Sequence, residues 1–345
     1  MGLTLSQLAD LQVATLADLG RMKWTDISYE LTEYVAMERL MRKNKVMFQS
    51  GDAINVNIIY SAAQSTKAVH LYEPDDVNFA DHLATATYDW RFTNTSYVWD
   101  AREININAGE AQIVDLLKAR RHAAMVGYAE QMETYFWSPL AADDGKTPHS
   151  IFFLIPFVST GTSAAASTGG FNGDQFYVGT NCGNYSHPRW KVWSHQYVAV
   201  SKGDLISKMK TAFRRTNFMA PVPSAEHRGP SRREIFTNET TMKALESLGE
   251  AQNENLGRDL APYFDEMIFR GIPIRYVPKL DANTQYTDPL IGIDWGTVRP
   301  AFKSGEYMHE EIRPSPNYHR ATETHIDNQF NLICQDRRRN WIMAK

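Results

Sequence analysis

The feature that most constrains this chain is a stretch of 29 residues, Gly109 to Trp137, that reads as one helix. At 100° per residue, Ile113, Leu117, Ala124, Tyr128, Met132 and Tyr135 fall within about one third of the circumference. Asp115, His122, Glu130 and Glu133 fall opposite. Ser138-Pro139 stops it, because proline lacks the N–H and disfavours the α conformation of the residue before it. Unbroken, such a rod spans about 43 Å, more than the diameter of a small domain, so the rest of the fold must be laid along it. Packing alone explains the apolar stripe. Arg121 also lands on that side and calls for a partner carboxylate, or for a stem lying along apolar surface.

From Asp52 the period changes to two. Ile54, Val56, Ile58 and Tyr60 point one way, and Asn55, Asn57 and Ile59 the other. Alternation returns over Asp89 to Asn107, where Ile104 and Ile106 interleave with Asn105 and Asn107. Two long strands are therefore expected to flank a polar middle, Ser61 to Tyr88, which holds Lys67, Glu73, Pro74, Asp75, Asp76 and Asp81. That middle is too long for a tight hairpin turn. It reads as a projecting arm, and a thin arm is poorly stable alone and leaves strand edges unpaired. Another surface must cover it.

Ahead of the arm, Ser6 can cap a helix carrying Leu8, Leu11 and Leu19, with Gly20 ending it. A second helix, from about Glu30 to Lys43, places Leu31, Tyr34, Val35 and Met41 on one side. Arg39, Arg42, Lys43 and Lys45 read as a solvated basic helix end, which the macrodipole favours. Beyond the rod, Ile151 to Val158 reads as a buried strand and Ser159 to Asp174 as a small-residue loop. Trp190, Val192, Tyr197, Val198 and Val200 continue the β character. Arg214 to Arg233 holds five arginines, three prolines and one acid, Glu226. It reads as an irregular loop, with phosphate binding the sharper interpretation and a solvated or intersubunit loop the plainer one. Asn238 can cap a helix carrying Met242, Leu245 and Leu248. Ile268 to Leu280 gives a short strand after a turn, and Pro300 to Trp341 is β-rich, broken at Arg313 to Asn317, with a last strand near Phe330 to Cys334.

Composition excludes several classes. The 345 residues are 43% hydrophobic and 22% charged, which rules out disorder and allows one large or two ordinary domains. The greasiest run, Ile151 to Val158, is far short of a membrane span. Met1 to Gly20 lacks the early positive charge and apolar core of a targeting signal. With 36 basic and 40 acidic residues the chain has no overall basic excess of the kind nucleic-acid binders use. Cys182 and Cys334 have no ligand spacing and read as free thiols in a reducing cytoplasm.

The search for an active site returns near misses. His309-Glu310-Glu311-Ile312-Arg313 starts like a zinc helix, but Arg313 stands where the second histidine is needed. Gly161-Thr162-Ser163-Ala164-Ala165 lacks the closing glycine of a nucleophile elbow. Asp281 to Gly292 lacks the central Gly and terminal Glu of a calcium loop, and Thr168-Gly169-Gly170 has no following Gly-Lys pair. His187 with His195, and His319 with His325, read as structural or solvated pairs. No catalytic residue, metal or cofactor is expected.

The order of parts then becomes informative: helical N-terminus, long β-arm, long helix, mixed body and β-rich return. It resembles the major capsid proteins of tailed bacteriophages, the Hong Kong 97 fold. The textual likeness is strongest late in the chain. Phe269-Arg270-Gly271-Ile272-Pro273-Ile274 with Tyr276-Val277-Pro278 is similar to that family's Gly-x-Pro strand. Gly292-Ile293-Asp294-Trp295 and Gly305-Glu306-Tyr307-Met308 resemble its later elements, and Asn331-Leu332-Ile333-Cys334 through Arg337-Arg338-Arg339 its closing strand. The resemblance implies an α+β fold: an N-arm at 1–45, an E-loop with flanking strands at 46–107, and a P-domain spine helix at 108–140. It further implies an A-domain at 141–295, P-domain strands at 296–330 and a return to the A-domain at 331–345.

It also implies function. The expected role is a shell subunit without catalysis, self-assembling as hexamers and pentamers into an icosahedral virion head, built in the bacterial host cytoplasm. Expected partners are a separate scaffolding protein, a portal, in some heads a decoration protein, and encapsidated double-stranded DNA held without sequence-specific contacts; no membrane is involved. Lys67, Tyr72, Glu73, Asp75, Asp76 and Phe79 become the expected intersubunit contacts of the E-loop, and Ile113, Leu117, Tyr128, Met132 and Tyr135 the packing face of the spine. Only about 45 residues precede the first strand, so scaffolding is expected from another chain or by processing, and the start at Met1 favours the former. Lys67 lies where some relatives carry a crosslinking lysine, but no partner is identifiable and no crosslink is assigned. The alternatives are an encapsulin-type nanocompartment shell and, in another class, a soluble hydrolase using a carboxylate pair.

Overall fold

A computed structural model describes residues 34–41, 46–59, 68, 70–71, 83–106, 110–139, 145–157, 169–173, 190–218, 232–250, 267–283, 286–314 and 319–345. The helix expected after Ser6, most of the arm's polar middle and most of the arginine-rich loop lie outside these residues.

Helix α1 (Val35–Leu40) leads to β1 (Met47–Gln49) and then to an antiparallel ribbon, β2 (Ala53–Ile59) with β3 (Leu83–Asp89). In β2, Ile54 and Val56 are buried while Asn55 and Asn57 are exposed, as the alternation requires. Its partner β3 lies inside the stretch expected to be all polar middle, with Ile54 opposite Tyr88 and Ile59 opposite Leu83. The second expected arm strand is instead β4 (Arg91–Asp100), which belongs to a different sheet. It also stops early. Asp100 Oδ1 accepts the Arg102 N–H at 2.8 Å and starts α2 (Ala101–Ile106), so the Ile104/Ile106 alternation does not continue the strand.

The long helix α3 (Glu110–Trp137) follows. The run expected as a buried strand is buried but helical: α4 (Ile151–Leu154) makes one turn closed by the Ile155 N–H on Ile151 O. Pro156 cannot donate to a ladder, and four consecutive apolar residues carry no period to separate strand from helix. Next come β5 (Gly170–Gly173), β6 (Val192–Gln196), α5 (Leu205–Thr216), β7 (Arg233–Thr237), α6 (Glu239–Glu250), β8 (Met267–Phe269) and β9 (Ile272–Tyr276). The chain closes with β10 (Leu290–Asp294), β11 (Val298–Lys303), β12 (His309–Pro314), β13 (Ala321–Cys334) and β14 (Trp341–Ala344). Asn238 caps α6 as expected, its Oδ1 accepting the Thr241 N–H at 3.1 Å.

Two sheets carry the body. In one, β13 is the central strand: β4 lines one side of it from Arg91 to Asp100, while β12 and β11 share the other and β1 adds beyond β11. The second has seven strands in the order β5-β6-β14-β10-β7-β9-β8. Arg270 and Gly271 both have positive φ, the conformation a tight β8–β9 hairpin needs. Gly292 is required for another reason: a Cβ there would lie 2.2 Å from the Trp341 ring on the adjacent strand. The chain crosses between the two sheets three times, from β4 to β5, from β10 to β11 and from β13 to β14, and one core fills the junction. There Phe136 stacks with Trp295 at 5.9 Å, and Trp137 meets Phe236 at 5.2 Å.

Candidate assembly surfaces

The ribbon is anchored to the main core along one face, from its base out to Ile58. Ile54, Val56, Ala86 and Tyr88 enter the main core, and Trp90 Nε1 donates to Gly51 O at 3.0 Å. At the far end the cross-strand pair Ile59 and Leu83 is 75% and 66% exposed. Among the described residues neither β2 nor β3 pairs with a third strand. Among the described residues the ribbon thus presents exposed apolar side chains at Ile59 and Leu83 and two free edges, an arrangement that association resolves. Lys67, Tyr72, Glu73, Asp75, Asp76 and Phe79 lie beyond this point, outside the described residues.

The long helix meets the body on two faces. Tyr128 and Met132 are buried against Phe302 and Phe330, with Tyr135 alongside. Burial pushes the Tyr128 hydroxyl up to about 12, although its contact with Thr93 works the other way. Leu117 is half-buried, and Ile113 lies in the helix with its side chain outside the described set. Arg121 has found its carboxylate, Glu310 on β12, whose hydrogen bond and charge raise its pKa. Glu133, expected on the solvent side, is buried. It accepts the Trp137 Nε1–H at 2.6 Å and the N–H groups of Ala36 and Met37 at 3.1 and 3.0 Å, tying α1 to the long helix. Desolvation raises its pKa against those three donors.

Arg39, expected in a solvated cluster, is buried too. It pairs with Glu234 at 3.0 Å, a carboxylate that also accepts the Trp295 Nε1–H at 2.8 Å. Arg42, Lys43 and Lys45 lie outside the described residues. Between α3 and β4 runs a cleft of about 390 Å³ lined by Phe92, Thr95, Tyr128, Gln131, Met132 and Tyr135 among others. Phe92, 71% exposed, stands at its rim, and Gly127 in mid-helix has nothing within 4 Å of where a Cβ would be. The cleft is open and amphipathic, and its lining includes no histidine, cysteine or carboxylate.

Reactive side chains elsewhere are engaged in structure. His309 to Arg313 form a strand rather than a zinc helix. Asp281 accepts the Glu239 N–H at 2.8 Å and the Tyr276 hydroxyl at 2.5 Å, serving the start of α6 instead of a cation. Cys334 is fully enclosed, and burial pushes its thiol up to about 12. No group of three or more His, Cys, Asp or Glu among the described residues is placed to hold a metal ion. Likewise, no described helix is long and apolar enough to cross a membrane.

No family model and no curated protein matches the chain. Solved structures do. The capsid asymmetric unit of cyanophage A-1(L) aligns over 96% of this chain and 98% of its own, with a TM-score of 0.55 at 16% identity. The chain has the capsid fold of tailed phages. The capsid of a native GTA particle aligns over 96% of this chain and 97% of its own, with a TM-score of 0.53 at 10% identity. Near-complete coverage in both directions means that ribbon, long helix and both sheets belong to one Hong Kong 97-type α+β architecture. At such identities what is shared is the fold.

Proposed function

We propose that this chain is the major shell subunit of a tailed-phage head, closing as hexamers and pentamers around double-stranded DNA and performing no catalysis. The observation that carries the reading is the ribbon: among the described residues, a two-stranded arm with an exposed Ile59–Leu83 pair and two unpaired edges is incomplete within one subunit. A neighbouring copy that covers it supplies the missing partner and widens each interface. In this reading residues 1–45 are the N-arm, 46–107 the E-loop region, and 108–140 with 296–330 the P-domain. Residues 141–295 with 331–345 form the A-domain. Lys67, Tyr72, Glu73, Asp75, Asp76 and Phe79 then contact the neighbour. A separate scaffolding protein and a portal are its working partners, and the virion is its destination. Removing residues 61–82, which spares β3, tests the idea. The shortened chain is expected to be a folded, soluble subunit that forms no shells; normal shells would overturn the proposal.

A further inference from the structure

The arginines that shell assembly leaves unexplained converge in space. Arg214 and Arg215 lie exposed in the last turn of α5. Just before them, the Phe213 ring carries two guanidinium groups, those of Arg233 and Arg270, at 5.8 and 5.6 Å. Phe218, just after α5, carries two more, from Arg338 and Arg339, at 5.0 and 5.5 Å. Arg232 borders the group, half exposed, 3.2 Å from Glu234. Four separate parts of the chain thus deliver seven arginines to one end of the seven-stranded sheet. The carboxylates among them, Glu234, Asp294 and Asp336, are all buried. The formal excess is four positive charges on a chain whose net charge is −4.

Two structural explanations account for only part of this. The helix dipole favours Arg214 and Arg215, and the buried acids need some counter-charge. Asp336 holds Arg338 through two hydrogen bonds of 3.1 and 3.2 Å, and Arg233 donates from Nη2 to Thr216 O at 3.0 Å while its Nε and Nη1 are enclosed, so these arginines serve the fold; Arg214, Arg215 and Arg270, by contrast, are exposed. Arg270 combines that exposure with its contact on the Phe213 ring, which holds the guanidinium plane and leaves N–H groups at the surface, the geometry suited to phosphate oxygens.

We propose that this arginine face binds the phosphodiester backbone of nucleic acid, without reading sequence. It deepens the shell reading by locating where the contents touch the wall, and it rests on that reading for its biological role. A localised basic face on an acidic chain makes discrete contacts without coating the whole lining.

The test is fluorescence anisotropy of the full-length unassembled chain with a labelled DNA duplex, a labelled RNA duplex and, as the acidic-protein arm, polyglutamate. Four neutralised phosphates give a salt slope of about −3.6, so binding weakens about 10²-fold between about 50 and 200 mM salt. The exposed quartet Arg214→Gln, Arg215→Gln, Arg232→Gln and Arg270→Gln should flatten that slope, and the same four positions as lysine should restore it, separating charge from folding. DNA and RNA binding alike supports a backbone contact. No duplex binding by the natural chain, an unchanged slope in the quartet, or tighter binding of polyglutamate than of either duplex overturns it. Assembly is read separately by sedimentation: shells without duplex binding sink this proposal alone, and duplex binding by a chain that never assembles sinks only the shell reading.

Discussion

Replacing Ile59 and Leu83 together by serine removes the exposed apolar pair at the outer end of the described ribbon. Full burial of such side chains is worth about 1.5–3 kcal/mol each. With 75% and 66% of the two residues still exposed in the single subunit, most of that gain remains to be realised on contact. The pair therefore contributes about 2–4 kcal/mol to each intersubunit contact, a factor of about 30 to 1,000 in its equilibrium constant. Inside the subunit the two side chains touch little, so the double variant should lose no more than about 1 kcal/mol of folding stability. Urea unfolding of unassembled protein measures the second quantity, and sedimentation velocity across a concentration series measures the first. The expected result is a subunit of near-natural stability whose assembly threshold rises at least tenfold. A variant that assembles at the natural concentration would refute the argument that the pair is interface, as would one that simply unfolds.

Three further outcomes follow from the interior. Glu234→Ala leaves Arg39 buried without its main partner, and a loss of about 3–5 kcal/mol is expected in urea melts; Arg39→Met with Glu234→Leu should recover most of it, and failure to recover would mean the ion pair is not the cause. Cys334, in a Cys182→Ser background, should react with a thiol reagent only when the chain unfolds, since its thiol is enclosed and shifted to about 12; rapid labelling of native protein contradicts the packing. Asp204 is desolvated, which pulls its pKa up, but the Ala199 N–H, Lys208 and the Val198 N–H outweigh this and hold it at about 2, against an ordinary 3.8. Because the folded value is the lower, its stabilisation is complete above about pH 4 and disappears as pH falls towards 2. Asp204→Asn should flatten that part of the stability profile, and an unchanged acid slope would show that other carboxylates dominate it.

What could be read before folding was periodicity. The long helix, the alternation of β2 and the Asn238 cap each follow from side-chain spacing over a few residues. Where a segment's environment is set from far along the chain, spacing misled. Glu133 looks solvent-facing on a wheel, yet it is buried because α1, nearly a hundred residues earlier, presents its N–H groups there. Arg39 is enclosed because Glu234 arrives from β7. A local signal against the long second strand is nonetheless present: Asp100 with Glu103 three positions on marks the start of α2. Helix α5 also carries a local signal, since Leu205, Met209, Ala212 and Thr216 keep helical spacing and all four are buried. The arginine face was half legible. Arg214 to Arg233 stood out as a cluster, but Arg270, Arg338 and Arg339 join it only through strand pairing.

Sedimentation velocity of the purified chain, with negative-stain imaging of any fast fraction, tests the central claim most directly. Closed shells tens of nanometres across, or hexamers and pentamers that close when scaffold is supplied, are the predicted result. A single species near 39.3 kDa, unchanged by concentration or scaffold, would contradict it.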